Sequence, residues 1–410
     1  MKIWIKLLVG IVLGAAVAWV TPAEAPALDL FLSQALGVAF SFARFLVAPL
    51  FLLSAIVAVH EAREARILGR SLRDVALVSI AGIVVAGAVG VAVALLAGPG
   101  RIPLVSGESA TGVAPTALRF IGSMASADLP VLLSPFENGF MPLLVVALAV
   151  GLALGFDRAA TRPLAALLDS LSRTLWQVNS FVAEVLPVFA IAVAAARFRE
   201  LRAVLSGGLY TRLVLVAAIE TLFVALVLVP GALWLFGGRK NPYRVLYGLL
   251  APAMAALVSG SLPFATGTLA KHLKDSLGVR RRAGAATLPL ALSLGRAGTA
   301  LMTATSFVVV LDSYSNLGLN GGTVLWMLAA VPAVSLLMGA APVLGPVAAL
   351  ATLSAWYGRG FESGYLLAAP AALPLAAMAA LLDALWAAAA VHIAARAAGE
   401  VVERPIRHFA

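Results

Sequence analysis

The sequence predicts an all-α polytopic membrane protein with eight transmembrane helices and two re-entrant helical hairpins. Three observations lead there. Hydrophobic residues make up 62% of the 410 residues and charged residues 12%, with a mean hydropathy of +1.02, whereas a soluble globular chain carries about twice that share of charge. Several apolar runs approach the roughly 20 residues that a helix needs to cross a bilayer. Finally, two apolar stretches in the C-terminal half are interrupted by small residues and proline. The interruptions are Ser259-Gly260-Ser261-Leu262-Pro263 and Gly339-Ala340-Ala341-Pro342-Val343-Leu344-Gly345-Pro346, and the arms on either side are too short to span. Backbone groups freed at membrane depth are tolerated only where protein or a water-filled cavity receives them, and paired interruptions point to a solute site.

Residues 3–20 form the first span. The run ends at Thr21-Pro22-Ala23-Glu24-Ala25, a small-residue pattern of the kind at which signal peptides are cut, but its length and its continuity with a polytopic chain favour a retained helix. Further spans are expected at 35–59, 74–97, a proline-interrupted region from 117 ending in 141–156, 175–196, 211–236, 283–311 and 365–395. The hairpin arms are 242–258 with 264–278, and 323–338 with 347–357. The chain thus divides into 1–72 (helices 1 and 2), 73–172 (3 and 4), 173–240 (5 and 6), 241–282 (first hairpin), 283–321 (helix 7), 322–362 (second hairpin) and 363–410 (helix 8 and a tail).

Charge sets the orientation. With the N-terminus inside, 20 of the 29 Lys and Arg residues fall on the inner side and seven on the outer. Cytoplasmic loops retain basic residues during insertion, so both termini are expected in the cytoplasm, in an inner membrane. Arg197, Arg199, Arg202 and Arg212 break the pattern by falling on the outer side, after the fifth span. The net charge of +10 is spread in short clusters between apolar runs, without the basic tail or stripe that a nucleic-acid partner would need. There is no cysteine, and the four histidines show no ligand spacing, so no cofactor is expected. No nucleophile–base pair, carboxylate pair or phosphate loop stands out, which argues against an enzyme.

The opening Met1-Lys2-Ile3-Trp4-Ile5-Lys6, Val47-Ala48-Pro49-Leu50-Phe51, Thr287-Leu288-Pro289-Leu290, Gly298-Thr299-Ala300-Leu301 and the two interrupted stretches in that order resemble the dicarboxylate/amino acid:cation symporters, the glutamate-transporter family. The resemblance covers nearly the whole chain. It implies a homotrimer whose early helices form a static scaffold, a transport domain built from the hairpins and helices 7 and 8, and an elevator-type motion between them. Helices 3 and 6 would travel with the transport domain, and helices 4 and 5 would stay with the scaffold. The family's sodium-binding oxygens in helix 7 align with Gly295 and Ala297, and those in helix 8 with Ala390 and Ala394. None of these side chains carries an oxygen, and sodium needs hard oxygen ligands. The coupling ion is therefore open between sodium, a proton and none.

Arg296 is the most unusual residue. An arginine inside an apolar span costs about 2.5 kcal/mol or more on insertion scales, so it faces a cavity or a partner rather than lipid. Its guanidinium fits three roles: a permanent cation in place of sodium, a two-pronged clamp for an anionic substrate, or an internal ion pair with Asp383. The resemblance further implies substrate contacts from Ser259, Gly260, Ser261 and Thr266 at the first hairpin tip, Pro342 and Gly345 at the second, Thr299 on helix 7, and Asp383 and Trp386 on helix 8. The plainer reading of the tips is chain reversal, since Ser, Gly and Pro are common in any turn. Glu184 and Glu220 read as interface or loop-edge residues. The expected function is a secondary, symporter-like transporter of a small anionic or zwitterionic solute such as a dicarboxylate or amino acid. A chain that lost its ion ligands could instead serve as a non-transporting sensor or an anion channel on the same fold.

Overall fold

The computed structural model describes residues 2–22, 25–98, 100–102, 130, 132, 134–314, 320–340 and 345–409. Seven helical segments among them are long and apolar enough to cross a membrane. Helix α1 is Ile3–Val20, as the apolar run predicts. The second segment starts earlier than expected and is nearly continuous, with α2 at Pro26–Arg44 and α3 at Val47–Glu64. Helix α4 spans Leu68–Ala97. Of the region expected for helix 4, α5 at Met141–Ala153 is described, while residues 117–129 lie outside the described residues.

Helix α6, Arg158–Ser206, is the largest departure, with 49 residues where 22 were expected. At 1.5 Å per residue along its path it is about 74 Å long, more than twice the hydrocarbon thickness. Asp157 caps its start by accepting from the Ala160 N–H at 3.1 Å. Helix α1 lies along it and comes close at Gly10 and Gly14, where a β-carbon would fall 2.7 Å from the Pro187 carbonyl oxygen and 2.4 Å from that of Ile191.

Helix α7, Thr211–Phe236, contains a π-helical turn at Val224–Leu228. Pro230 lacks the N–H that would reach the Leu226 carbonyl, and the Tyr243 hydroxyl donates to that oxygen at 3.1 Å instead. Short helix α8, Pro242–Gly248, leads into α9, Leu250–Ser259, which reverses through Gly260 and Ser261 into α10, Leu262–Asp275. The reversal needs glycine at 260, where φ is +64°. Next come α11, Arg281–Leu294, and α12, Ala297–Tyr314, separated by a break at Gly295-Arg296. Helices α13, Gly321–Leu337, and α14, Gly345–Tyr357, pack on each other, and α15, Ala372–Ala397, closes the bundle.

The C-terminal half holds the core. Helices α12 and α15 are buried along nearly their whole length, with α4 against both. Polar pairs gather at the two ends of the bundle. At one end Arg281 pairs with Glu61 and Asp169, Arg282 with Glu400, Lys240 with Glu403, and Lys271 with Glu184. Lys2, at the start of α1, donates to the Ile406 carbonyl there. The Lys240 ammonium holds the Glu403 carboxyl below the usual carboxylate range. At the other end of α1, Arg199 bonds Asp29, Thr21 and the Pro22 carbonyl, and Arg212 donates to the Ala97 carbonyl. Two of the arginines that broke the charge pattern, Arg199 and Arg212, therefore sit at the end opposite the main basic clusters, tied to connections they hold in place.

Candidate solute site

The break between α11 and α12 creates the site. Gly295 leaves the helix with ψ +56°, and the Arg296 N–H bonds back to the Leu294 carbonyl at 2.8 Å, so α12 restarts at Ala297 with its first N–H groups uncapped by its own chain. Asp383 of α15 caps them. Its Oδ1 accepts from the Gly298 N–H at 2.7 Å and the Thr299 N–H at 3.1 Å, and its Oδ2 accepts from the Thr299 hydroxyl at 2.7 Å. The approach depends on Gly298, because a β-carbon there would fall 2.2 Å from the Ala379 carbonyl oxygen and 2.7 Å from Leu382 Cβ.

Arg296 Nη1 lies 3.5 Å from the same Oδ2, and both side chains are almost fully buried. The ion pair considered from sequence is therefore present, but it engages only one corner of the guanidinium. Nε and Nη2 are buried with no hydrogen-bond partner among the described residues. Those two N–H groups lie side by side along one edge, the two-pronged arrangement that matches a carboxylate.

Arg296 and Asp383 lie on the wall of a cavity of about 510 Å³. Ser259, Gly260, Ser261, Thr299 and Gly345 also line it, so both interrupted stretches meet at one space with the α12 break. The Ser259 hydroxyl donates to the Ala255 carbonyl at 2.7 Å and accepts from the Ser261 N–H at 3.2 Å, so it holds the reversal in shape.

Two residues singled out from sequence point elsewhere. Trp386 donates from Nε1 to the Val78 carbonyl at 3.0 Å, its indole filling the space over Gly82 on α4, and so joins two helices rather than lining the cavity. The Thr266 hydroxyl donates to the Leu262 carbonyl inside α10 at 2.9 Å. Pro342 lies outside the described residues. Gly295, Ala297, Ala390 and Ala394 are packed among helices, Gly295 so closely that a β-carbon would fall 3.3 Å from Ala387. No cluster of three or more acidic or histidine side chains suited to a metal ion occurs among the described residues.

Sequence reasoning missed Arg44 and Arg197, which also line the cavity. Arg44 was findable. It stands inside the apolar stretch 35–59, and the insertion cost that singled out Arg296 applies to it equally. Arg197 was read as a loop residue because α6 was expected to end at 196.

With three arginines and one aspartate on its wall, the cavity suits a solute carrying carboxylate. The profile of the sodium:dicarboxylate symporter family matches residues 3–398. The chain belongs to the sodium:dicarboxylate symporter family. The family is one of symporters rather than of enzymes. Among curated relatives, the chain is 27% identical over 233 residues to excitatory amino acid transporter 4 of Mus musculus, covering 54% of this chain and 41% of that protein. It is 24% identical over 261 residues to excitatory amino acid transporter 1 of Homo sapiens (62% and 46%), and 24% identical over 226 residues to neutral amino acid transporter A of Homo sapiens (54% and 41%). The matched region thus spans less than half the length of these relatives.

Proposed function

We propose that this protein is a secondary transporter of a small organic anion, a dicarboxylate or an amino acid, and that the free edge of Arg296 binds a solute carboxylate. The observation that carries the reading is the buried guanidinium on the cavity wall, with Nε and Nη2 unpartnered beside Asp383. Asp383 is committed to the α12 amides and the Thr299 hydroxyl, and Nε and Nη2 of the guanidinium are left unpartnered. The serine-rich reversal at 259–261 and the α14 start at Gly345 would close over the solute.

The architecture we infer has eight spans and two re-entrant hairpins, α8–α10 and α13–α14. The hairpins, α4, α7, α11, α12 and α15 would move as one body, in an elevator-type motion, against a homotrimeric scaffold, with both termini cytoplasmic in an inner membrane. The end-to-end sorting of basic residues and the interrupted helices support it. Sodium coupling of the usual family kind does not fit Gly295, Ala297, Ala390 and Ala394, which offer no side-chain oxygen.

The test uses succinate and L-aspartate as probes, with binding followed by calorimetry on purified protein and uptake in proteoliposomes. Arg296→Met keeps most of the length and removes both donors. A hydrogen bond to a charged group contributes about 1.5–3 kcal/mol, so binding of the preferred probe should weaken roughly 10- to 150-fold. Unchanged affinity for both probes in a folded Arg296→Met protein refutes the assignment.

A further inference from the structure

Glu220 lies near the middle of α7, fully buried at 1% exposure, and nothing in the solute site uses it. A carboxylate in such a place needs a cation or several donors. Glu220 has neither among the described residues. Its Oε1 is buried without a partner, and its Oε2 meets a single group, the Thr305 hydroxyl on α12, at 2.6 Å. Helix α7 packs against α4, α8, α12 and α15. The charged and titratable residues there are Arg70, Arg73 and Asp74 on α4, Tyr243, Arg244 and Tyr247 on α8, Arg296 just before α12, Asp312 and Tyr314 on α12, Asp383, His392 and Arg396 on α15, and Arg212 on α7 itself. None of them forms an ion pair with Glu220.

The proton count bears on the chemical form. The Thr305 hydroxyl has one hydrogen and two oxygen neighbours, Glu220 Oε2 at 2.6 Å and the Leu301 carbonyl at 3.0 Å. A threonine inside a helix ordinarily donates to the carbonyl four residues back, which here is Leu301. With that hydrogen on Leu301, the contact with Glu220 needs its own proton, which a neutral carboxylic acid would supply by donating to the threonine oxygen; the 2.6 Å separation suits this bond and equally a hydroxyl donating to a carboxylate. A chain from the Glu220 acid to the Thr305 hydroxyl to the Leu301 carbonyl would leave no uncompensated charge.

The location adds a second argument. Thr305 is six residues beyond Thr299 on the same helix, so α12 joins the two sites through about 9 Å of rigid backbone. Gly90 on α4 approaches from the other side, and a β-carbon there would fall 3.3 Å from the Thr305 hydroxyl. The π-helical turn at Val224–Leu228 begins one turn after Glu220, and such turns recur at functional positions.

We propose that Glu220 is a proton-binding site: it holds a proton in this conformation and releases it during the transport cycle, so that its occupancy sets how α7 packs against the solute-bearing helix. Release would leave a carboxylate facing the threonine, which would have to turn its hydroxyl from Leu301 to Glu220 or let α7 separate from α12 and admit water. The release step rests on the transporter reading above, whereas the bound proton does not.

Infrared absorption of the full-length protein in lipid tests the proton directly. Near neutral pH, wild type should show the carbonyl stretch of an un-ionised carboxylic acid, shifted in heavy water. Glu220→Gln, which keeps the shape and can still donate to Thr305, should lose that band, and Thr305→Val should move it. An unchanged spectrum in a folded Glu220→Gln protein overturns the proposal. Release is read in proteoliposomes loaded at neutral pH and diluted into acidic buffer with succinate or L-aspartate. Wild-type uptake should rise severalfold over the rate without a gradient, and Glu220→Gln should lose most of that response. Wild-type uptake indifferent to the gradient overturns the release step and leaves the transporter reading standing. Failure of wild type to bind or move either probe overturns the transporter reading and the release step with it, while the infrared band still decides whether Glu220 holds a proton.

Discussion

Replacing Asp383 asks the most of this structure, because one carboxylate there serves four donor atoms. Asp383→Ala would strand the Gly298 and Thr299 N–H groups, the Thr299 hydroxyl and the Arg296 guanidinium together. Each buried unsatisfied neutral group costs about 1–3 kcal/mol, and an unpaired buried charge about 3–5 kcal/mol. The total rivals the entire stability of an ordinary domain, about 5–15 kcal/mol, so this variant should fail to accumulate in folded form. Asp383→Asn is the informative change. Its carbonyl oxygen can still accept from the two backbone groups, so the loss reduces to the unpaired arginine, about 3–5 kcal/mol. Arg296→Met should cost less, since Asp383 keeps three donors. If the pair matters for folding, the double variant Arg296→Met with Asp383→Asn should recover much of the loss, with a coupling free energy up to about 3 kcal/mol. Thermal unfolding in mild detergent, followed by tryptophan fluorescence, measures all four corners of the cycle. Additive losses would refute the energetic coupling of the pair. Binding of succinate or L-aspartate by the double variant at wild-type affinity would refute the role given to the Arg296 edge.

Three further outcomes follow from local geometry. Gly260→Ala has room for its methyl group, the nearest atom being the Ala377 nitrogen at 3.6 Å, so its cost should be the left-handed backbone alone, about 1–2 kcal/mol, read as a lower melting temperature. Gly82→Ala would place a β-carbon 1.9 Å from Trp386 Nε1, and the displaced indole should cost about 1–3 kcal/mol and change the tryptophan emission; unchanged emission would contradict the packing of α15 on α4. Replacing sodium with choline during proteoliposome uptake should change the rate less than about twofold, because the aligned positions lack the hard oxygen ligands sodium requires; a large loss of rate would show that sodium has another site.

Much of the architecture was legible because hydrophobic runs and their interruptions report burial directly. The first helix matches the apolar run 3–20, and the reversal at 259–261 falls where serine and glycine break the pattern. Helix α6 was not legible. Arg158, Arg162, Pro163 and Arg173 read as a loop, yet they lie on a helix that projects past the apolar span, where charge is no obstacle and Asp157 supplies the cap. At the site, the unusual chemistry of Arg296 was visible in one dimension, and so was Asp383 as its partner. The capping of α12 by Asp383 was not, because it links residues 84 and 85 positions apart through backbone amides that leave no mark on residue type. Trp386 was assigned to the cavity by the family resemblance, whereas its orientation is set by a gap on another helix. The run of small residues containing Gly82 was the available signal, though it named no partner.

The pairing of Arg296 with Asp383 bears on how the membrane voltage would act on this protein. The two side chains are buried against each other and cancel, so the pair itself adds no net charge to a body that carries both across the bilayer. The work done by the field is then set by what else crosses, at about 2.3 kcal/mol per elementary charge for each 100 mV. A solute with one net negative charge moving alone would feel that full bias and a dianion twice as much, whereas a proton carried with the solute on Glu220 would offset one of those charges. Current recorded beside flux would therefore report the summed charge of solute and coupled proton.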